Sequence, residues 1–447
     1  MIALGTMNAA LVHYDDGGAV TDADESAFLG EVTAQAPRHL FVISHGWNND
    51  EAEALDLYQR FFSAADQVWG AVTEWDATQA ECFALGVIWP SKKFDENAFA
   101  AASGSAPGAA AGIGADTVDQ QIAAQVRVLK QVADDPAAAA LLDHAIAVIP
   151  QLSVSRSAQD DFVAALAAAF PHPPQEPDPG LDTGLNALNT SAGHDVLAQI
   201  VANLHAGPAA AAVAAHAGGA AAIGGAAGFN PLGAIKNAAL VLANVTTYWT
   251  MKERAGVTGR TGVAQTLAKA MVAVPDATVH LIGHSFGGRL VTAAANALTG
   301  GIAGHQVATM MLLQAAYSHY GLAHDYQPNT DGMFRSVLTG AKVAREIQIT
   351  HSIHDLAVGL AYPIASALAR QIGAAVFVNP YGGMGADGAR ATPEAFEDTL
   401  GPAGTAYAPV QAPAIVRNLN GDASISSHGD VARPETAYAT LVAASRA

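Results

Sequence analysis

The stretch Val279–Gly288, "VHLIGHSFGG", decides the fold of this chain. Its first half is a short apolar run, which is typical of a strand buried on both faces of a parallel sheet. The residues after it, "GGRLVTAAANALTG", have the apolar spacing of a helix that Gly300 would close. Between strand and helix stands Gly283-His284-Ser285-Phe286-Gly287, which matches the G-x-S-x-G pattern of a nucleophile elbow.

The glycines of this pattern have a steric purpose. A serine at a sharp strand-to-helix turn has its Oγ lifted above the sheet edge, and side chains on either side would collide there. The turn also places the next backbone N–H, that of Phe286, at a helix N-terminus facing developing negative charge. Ser285 is therefore the candidate nucleophile. A serine that only caps a helix in a tight packing turn would fit the same residues.

A second oxyanion donor is expected after an earlier strand. The run "HLFVISHGW" at 39–47 indicates a buried strand followed by a tight turn. We predict that the N–H of Trp47 is that donor, because Gly46 lets the backbone approach a substrate. His45, Gly46 and His284 are predicted to bind the substrate. A plain turn with a packed tryptophan remains the alternative.

The general base is expected to be a histidine, because the pKa of histidine lies near working pH. In the elbow architecture the acid and then the histidine follow the serine, on loops after later strands. His428, in "NGDASISSHGD", lies between the last predicted strand and the last predicted helix. It is the candidate base, although an exposed loop histidine would look the same.

The acid is expected after the predicted strand at 345–352. Asp355, in "THSIHDLAVG", falls just past it and would accept Nδ1–H of His428. Asp355 would also suit a helix N-cap, and Asp325 and Asp331 are alternative acids in an earlier loop.

His351 and His354 stand three residues apart beside Asp355, a spacing at which two histidines could bind a metal ion. No Cys, Glu or further His falls at a recognisable ligand spacing nearby. We therefore predict no metal site and no cofactor. These histidines are expected to line the pocket or support the acid loop.

Strands alternating with helices predict the α/β class, with a mostly parallel central sheet and helices on both faces. The predicted strands are 39–44, 82–90, 278–283, 306–318, 345–352 and 413–421, and the predicted helices are 50–70, 237–273 with a break near 256–262, 287–300, 355–373 and 433–445. Residues 91–240 break the alternation with Ala-rich segments and the cluster "FPHPPQEPDPG". We predict a catalytic domain of 1–90 and 241–447, and a helical insertion or cap at 91–240.

Five segments resemble the α/β-hydrolase superfamily. They are "VISHGWN" at 42–48, "GVIWPS" at 86–91, "HLIGHSFGGRL" at 280–290, "THSIHDLAVG" at 350–359 and "SSHGDVARPETAY" at 426–438. The combination of HGWN, WPS and HSFGG is similar to bacterial serine esterases and lipase-like hydrolases with a long insertion after the fourth core strand. The match covers roughly 39–90 and 240–447.

The resemblance implies an α/β-hydrolase fold and a catalytic triad of Ser285, Asp355 and His428. It also implies oxyanion donors at Trp47 and Phe286. The oxyanion loop reads HGWNND rather than the HGGG of many carboxylesterases, which leaves the substrate class open.

The predicted function is hydrolysis of a carboxylic ester. The apolar, Ala- and Gly-rich insertion favours a hydrophobic acyl group, from a lipid or a medium-chain ester. An amidase or acyltransferase with the same triad is an alternative. So is a non-catalytic or membrane-associated interaction protein built on a hydrolase scaffold.

The charge and the apolar composition of the chain bear on whether it binds nucleic acid or membranes. The net charge of −19 disfavours nucleic acid and anionic membrane surfaces, which need Lys and Arg to neutralise phosphate. Residues 196–235 contain no Asp, Glu, Lys or Arg, and their length permits a spanning helix. Ala and Gly dominate there and prolines interrupt, so membrane contact is not the expectation.

Cellular location and assembly are less constrained. Cys82 is the single cysteine, so no intrachain disulfide forms, and its apolar surroundings predict a buried, inert thiol. The N-terminal stretch has no basic region followed by a long apolar core, so no signal peptide is predicted. Cytoplasm is the default expectation, export by a signal-independent route stays open, and the sequence predicts no oligomeric state.

Overall fold

The computed structural model describes residues 1–91, 115–133, 135–169, 191–206, 231–298, 306–355, 358 and 382–447. Over these ranges the chain is an α/β protein with a mostly parallel sheet of nine strands. The strands are β1 Ile2–Leu4, β2 Met7–His13, β3 His39–Ser44, β4 Cys82–Ile88, β5 Thr278–His284, β6 Val307–Leu313, β7 Val343–His351, β8 Ala395–Thr399 and β9 Val416–Asn420.

The helices of the described residues vary widely in length. They are α1 Asp22–Gln35, α2 Glu51–Val68, α3 Ala115–Val132, α4 Pro136–Val148, α5 Arg156–Ala169, α6 Gly193–Ala206, α7 Pro231–Val257, α8 Ala264–Ala273, α9 Phe286–Ala297, α10 Arg335–Thr339, α11 Met384–Asp387 and α12 Pro434–Ser445. Short 3₁₀ turns lie at Trp69–Ala71, Gln79–Glu81 and Ile149–Gln151, and a π-helix at Thr258–Val263 joins α7 to α8.

The strand order is β1-β2-β4-β3-β5-β6-β7-β9-β8, and β1 pairs with β2 antiparallel while the other neighbours are parallel. The carboxyl ends of the parallel strands therefore share one edge. From β3 the chain passes to β4 on one side, and β5 lies on the other side of β3. Such a switch in strand order opens a crevice at the carboxyl edge, where ligands bind in open α/β sheets.

Helices cover both faces of the sheet, and the central strands β3 and β4 are therefore buried throughout. On one face Phe41 and Ile43 of β3 share a hydrophobic cluster with residues of α2 and α12. On the other face Phe28 of α1 lies 6.2 Å, between ring centroids, from Phe83 of β4. Side chains alternate between the faces of a strand, so a buried strand needs apolar residues at every position.

The π-helix packs directly against α9. A Cβ added to Gly259 would lie 2.1 Å from the carbonyl oxygen of Leu290, so the two backbones are in direct contact. The sequence predicted a break near 256–262, and the chain instead stays helical there with a widened turn.

Most predicted elements of the central sheet are confirmed, namely β3, β4, β5, β7 and β9 with α2, α9 and α12. The strand predicted at 306–318 ends at Leu313, because Gln314 adopts a φ of 47° and turns the chain. Strands β1, β2 and β8 and helix α1 were not predicted. The helix predicted at 355–373 lies almost wholly outside the described residues.

The chain divides into two compact units, with one boundary inside α7 between Thr250 and Met251. The first unit holds the whole sheet. The second includes α3 to α6 and the first part of α7, held by contacts such as Gln125 Nε2 to Thr247 Oγ1 at 3.0 Å. No helix of the described ranges combines the length and the apolar character that crossing a bilayer requires.

Candidate active site

Ser285 occupies the turn between β5 and α9 in a strained backbone conformation. Its φ is 57° and its ψ is −122°, a region that residues with a side chain rarely adopt. The backbone N–H of Ser285 donates to the carbonyl of Leu313 at 3.0 Å, and its carbonyl accepts from the N–H of Ala316 at 3.0 Å. These two bonds pin the turn to the end of β6.

The glycines around Ser285 are required by backbone contacts. A Cβ on Gly283 would lie 2.4 Å from the carbonyl oxygen of Gly287. A Cβ on Gly287 would lie 2.3 Å from the carbonyl oxygen of Ser44, at the end of β3. The two ends of the turn therefore lie too close to each other, and the turn too close to the end of β3, for any side chain at these positions.

Three side chains predicted to react are brought together at the carboxyl edge. His428 Nε2 lies 2.8 Å from Ser285 Oγ, and His428 Nδ1 lies 2.9 Å from Asp355 Oδ2. Because an ionised carboxylate only accepts, Nδ1 carries the proton and Nε2 faces the hydroxyl as an acceptor. Ser285 is 5% exposed and Asp355 1%, whereas the His428 side chain is 23% exposed.

The acid is held by hydrogen bonds to both of its oxygens. Asp355 Oδ1 accepts from the N–H of Val358 at 2.9 Å, and Oδ2 accepts from Nε2 of Gln314 at 3.1 Å. The loop carrying Asp355 is tied to the loop carrying His428, because Ser352 Oγ donates to the carbonyl of Ile425 at 3.1 Å. The separation between acid and base is thus set by the backbone as well as by their own contact.

The loop of His428 is also held by hydrogen bonds within the loop and by one from His284 at the end of β5. Asp430 accepts from Ser426 Oγ at 2.7 Å and pairs with Arg433 at 2.8 Å. His284 Nε2 lies 2.9 Å from the carbonyl oxygen of His428 and must donate to it. Burial lowers the pKa of His284 to about 3, so this imidazole is neutral at ordinary pH.

The loop after β3 approaches the nucleophile closely. A Cβ on Gly46 would lie 2.6 Å from the Cβ of Ser285, so only glycine fits. The rings of Trp47 and Phe286 lie 6.1 Å apart, and Phe286 is the first residue of α9. The two backbone segments predicted to supply oxyanion donors therefore flank Ser285.

His45 supports this loop from inside the protein. Its Nδ1 donates to the carbonyl of Gly46 at 2.9 Å, and its Nε2 accepts from the N–H of Trp89 at 3.3 Å. The backbone N–H of His45 donates to the hydroxyl of Tyr58 at 2.9 Å. Burial lowers the pKa of the His45 imidazole to about 4. Of the predicted substrate-binding residues, the structure places the His45 and His284 rings in the interior and only Gly46 directly against the nucleophile.

The alternative acids lie apart from His428. Asp331 Oδ1 is 3.0 Å from Nδ1 of His324, and Asp325 accepts from a backbone N–H of the same exposed loop. His351 is buried 3.4 Å from a Glu397 oxygen, while His354 is exposed. Within the described ranges no three His, Cys, Asp or Glu side chains are placed to hold a metal ion.

Comparisons of the chain with protein-family models, with curated proteins and with solved structures give no match. The geometry of the site therefore carries the functional argument.

Sequence reasoning missed two buried residues of the site. Gln314 was placed inside a predicted strand, and Tyr58 inside a predicted helix. The signal for Gln314 was a lone polar residue ending the apolar run "VATMMLL", which a strand core does not need. Tyr58, whose hydroxyl donates to the carbonyl of Val87 at 2.5 Å, had no signal in the sequence.

Proposed function

We propose that this chain is a serine hydrolase with the α/β-hydrolase architecture, in which residues 91–240 form an inserted cap. The observation that carries the proposal is the hydrogen-bonded series from Ser285 Oγ through His428 to Asp355, with both contacts under 3 Å. Its position beside the switch in strand order supports the same conclusion. The strained serine turn at a helix N-terminus adds the third expected part.

Acylation begins with attack of Ser285 Oγ on the carbonyl carbon of a carboxylic ester. The hydroxyl proton passes to His428 Nε2, and Asp355 stabilises the imidazolium through Nδ1–H. The tetrahedral oxyanion accepts hydrogen bonds from the backbone N–H groups of Trp47 and Phe286. The C–O bond to the alcohol then breaks, and the leaving oxygen takes the proton from Nε2.

Deacylation repeats these steps with water. Nε2 of His428 takes a proton from water as its oxygen attacks the acyl-serine carbonyl carbon. Collapse of the second tetrahedral intermediate releases a carboxylic acid and returns the proton to Ser285 Oγ. The alcohol carries away the proton first taken from Ser285 and water supplies its replacement, so the proposed cycle balances without a cofactor.

The proposed substrate is an ester with a hydrophobic acyl group, on the ground that residues 91–240 are rich in Ala and Gly and that 196–235 contain no Asp, Glu, Lys or Arg. An amidase or acyltransferase would form the same acyl-enzyme. Product analysis distinguishes an acyltransferase from a hydrolase, because a transferase passes the acyl group to an added alcohol or amine in preference to water.

The decisive test is hydrolysis of p-nitrophenyl esters of graded acyl length. We expect turnover by the unmodified protein, rising with acyl length, and a loss of about 10⁴-fold or more in Ser285→Ala. Ser63→Ala, at a hydroxyl of α2 that lies 3.3 Å from the side-chain amide of Gln59, is the matched control and should keep full activity. Unchanged activity in Ser285→Ala would end the proposal.

Labelling by a fluorophosphonate probe distinguishes a hydrolase from a non-catalytic protein on the same scaffold. The probe forms a bond to an activated serine hydroxyl without needing the natural substrate. We expect one label on Ser285, located by mass spectrometry of the digested protein, and none in Ser285→Ala. A folded but unlabelled protein would favour the interaction protein instead.

A further inference from the structure

Gln314 has an unusual backbone for a long side chain. It follows β6, is fully buried and adopts a φ of 47°. The left-handed region is unfavourable for residues with a Cβ, and among them Asn and Asp tolerate it best. Strained conformations of this kind persist where the surrounding structure imposes them, often at functional sites.

Two neighbouring segments hold the backbone of Gln314 in place. Its N–H donates to Thr350 Oγ1 of β7 at 3.0 Å. On the other side, a Cβ on Gly385 of α11 would lie 2.5 Å from the carbonyl carbon of Gln314. The side chain therefore starts from a fixed point at the carboxyl edge.

The amide of Gln314 meets the acid at the oxygen that the base also uses. Nε2 of Gln314 lies 3.1 Å from Asp355 Oδ2, and Nδ1 of His428 lies 2.9 Å from the same oxygen. The amide orientation is fixed by charge, because a flipped amide would set its oxygen against the carboxylate. Among the described residues Oε1 of Gln314 has no hydrogen-bond partner, so the amide is not held by a competing contact.

We propose that Gln314 is a positioning residue that aims Asp355 Oδ2 at the base. The N–H of Val358 on Oδ1 and the amide of Gln314 on Oδ2 together fix the plane of the carboxylate. The amide also takes up part of the negative charge of Oδ2 that would otherwise face the imidazolium. This inference rests on the proposed function, since it assigns Gln314 a part in the same reaction.

Gln314→Asn separates this part from a purely structural one. Asn suits a positive φ better than Gln, which offsets part of the cost of a buried amide without a partner, so the thermal midpoint should fall by a few degrees at most. Its amide is one methylene too short to reach Asp355 Oδ2, so kcat should fall about 10- to 100-fold with KM within about twofold. The acid limb of the kcat/KM pH profile should move to higher pH, because the carboxylate then acts unshielded on the imidazolium. Full kcat with an unmoved profile would overturn the inference.

Gln314→Glu tests the chemistry of the contact with almost no change of shape. The new carboxyl group would stand 3.1 Å from Asp355 Oδ2, where two carboxylates cannot both ionise and must share a proton. While the shared proton is held, the pair still places a hydrogen bond on Asp355 Oδ2, so we expect a smaller loss of kcat than in Gln314→Asn. The loss should grow as the pH rises and the second carboxylate ionises. Ala36→Gly is the control for strain relief, since Ala36 has a φ of 45° at the end of α1. It should gain stability and leave kcat unchanged.

A measurement without turnover keeps this inference separate from the proposed function. In protein with nitrogen-labelled histidine, the Nδ1–H of His428 bonded to Asp355 should give a downfield proton signal. Gln314→Asn should shift that signal even if no ester is hydrolysed and no probe reacts. An unmoved signal would count against Gln314 alone, whereas an unlabelled Ser285 would count against the hydrolase.

Discussion

Two imidazole–hydroxyl contacts of equal length lie at opposite ends of the sheet. At the carboxyl edge His428 Nε2 is 2.8 Å from Ser285 Oγ, and towards the amino edge His280 Nδ1 of β5 is 2.8 Å from Thr309 Oγ1 of β6. The second ring nitrogens differ. His428 faces a carboxylate, whereas Nε2 of His280 lies 3.0 Å from Nδ1 of His39.

The pair near the amino edge lacks each condition that the proposed chemistry needs. His280 and His39 are buried, with His280 stacked on Phe41 and His39 packed against Trp75. Burial holds the pKa of His280 well below its usual value and lowers the pKa of His39 to about 4. On the proposed mechanism, a short imidazole–hydroxyl bond alone would not support catalysis. The contact of His428 differs in two ways: a carboxylate faces its far nitrogen, and the hydroxyl stands on a strained turn.

Replacing the carboxylate should give the largest effect. Asp355→Asn keeps the shape of the side chain but offers Nδ1 of His428 a different partner and tautomer, and loss of the acid lowers kcat about 10⁴-fold in comparable triads. The counterpart Thr309→Val should leave kcat unchanged and lower the free energy of unfolding by about 1–3 kcal/mol, because one nitrogen of His280 loses its partner. Ester hydrolysis and urea unfolding measure the two. Equal kcat losses in both variants would remove the distinction between the two edges.

Closing the gap beside the nucleophile should give the next largest effect. In Gly46→Ala the new Cβ would lie 2.6 Å from the Cβ of Ser285, so the loop with Trp47 must retreat. We expect a loss of about 10²–10³-fold in kcat, as for removal of one oxyanion donor. Gly30→Ala in α1, where a Cβ meets nothing within 4 Å, should keep full activity. A Gly46→Ala enzyme with normal kcat would separate this loop from the reaction.

The smallest effect concerns stability in acid. The pKa of His39 is lowered from 6.5 to about 4, so the unfolded chain binds more protons than the folded one between these values. The free energy of unfolding should therefore fall as the pH drops, by about 2 kcal/mol from His39 between pH 7 and pH 5. His280, His45 and His284, with pKa values lowered by burial, act in the same direction.

His39→Asn checks the source of that fall. An Asn side chain keeps a hydrogen-bonding atom near the position of Nδ1 and does not titrate. Urea unfolding at the two pH values should show a decrease that is smaller by about 2 kcal/mol in the variant, with kcat at pH 7 unchanged. The same decrease in both proteins would assign the acid sensitivity to other groups.

The central sheet was predictable because its strands are buried on both faces. Runs such as "LFVIS" and "CFALGVI" have no interpretation as surface segments, and their carboxyl ends must meet at one edge. Chain order after Ser285 then sufficed to select the Asp355 and His428 loops, which the structure joins.

The peripheral strands and the supporting residues were not predictable in the same way. The edge strand β8, "AFEDT", has no fully buried residue and therefore no apolar signature. The contact of Gln314 with Asp355 depends on an inverted backbone at one residue, which no spacing rule encodes. Buried strands can be predicted from their apolar composition. The orientation of a side chain such as Gln314 depends on single long-range contacts, which the sequence does not reveal.

The backbone contact between Gly259 and Leu290 has a consequence for protein engineering. It fixes the position of α9, the helix that begins directly after the proposed nucleophile Ser285. A mutational screen scored only by turnover would rank Gly259 among the reacting groups. Conversely, paired substitutions at this contact offer a way to adjust the reach of the hydroxyl by fractions of an ångström while every reacting group is left intact.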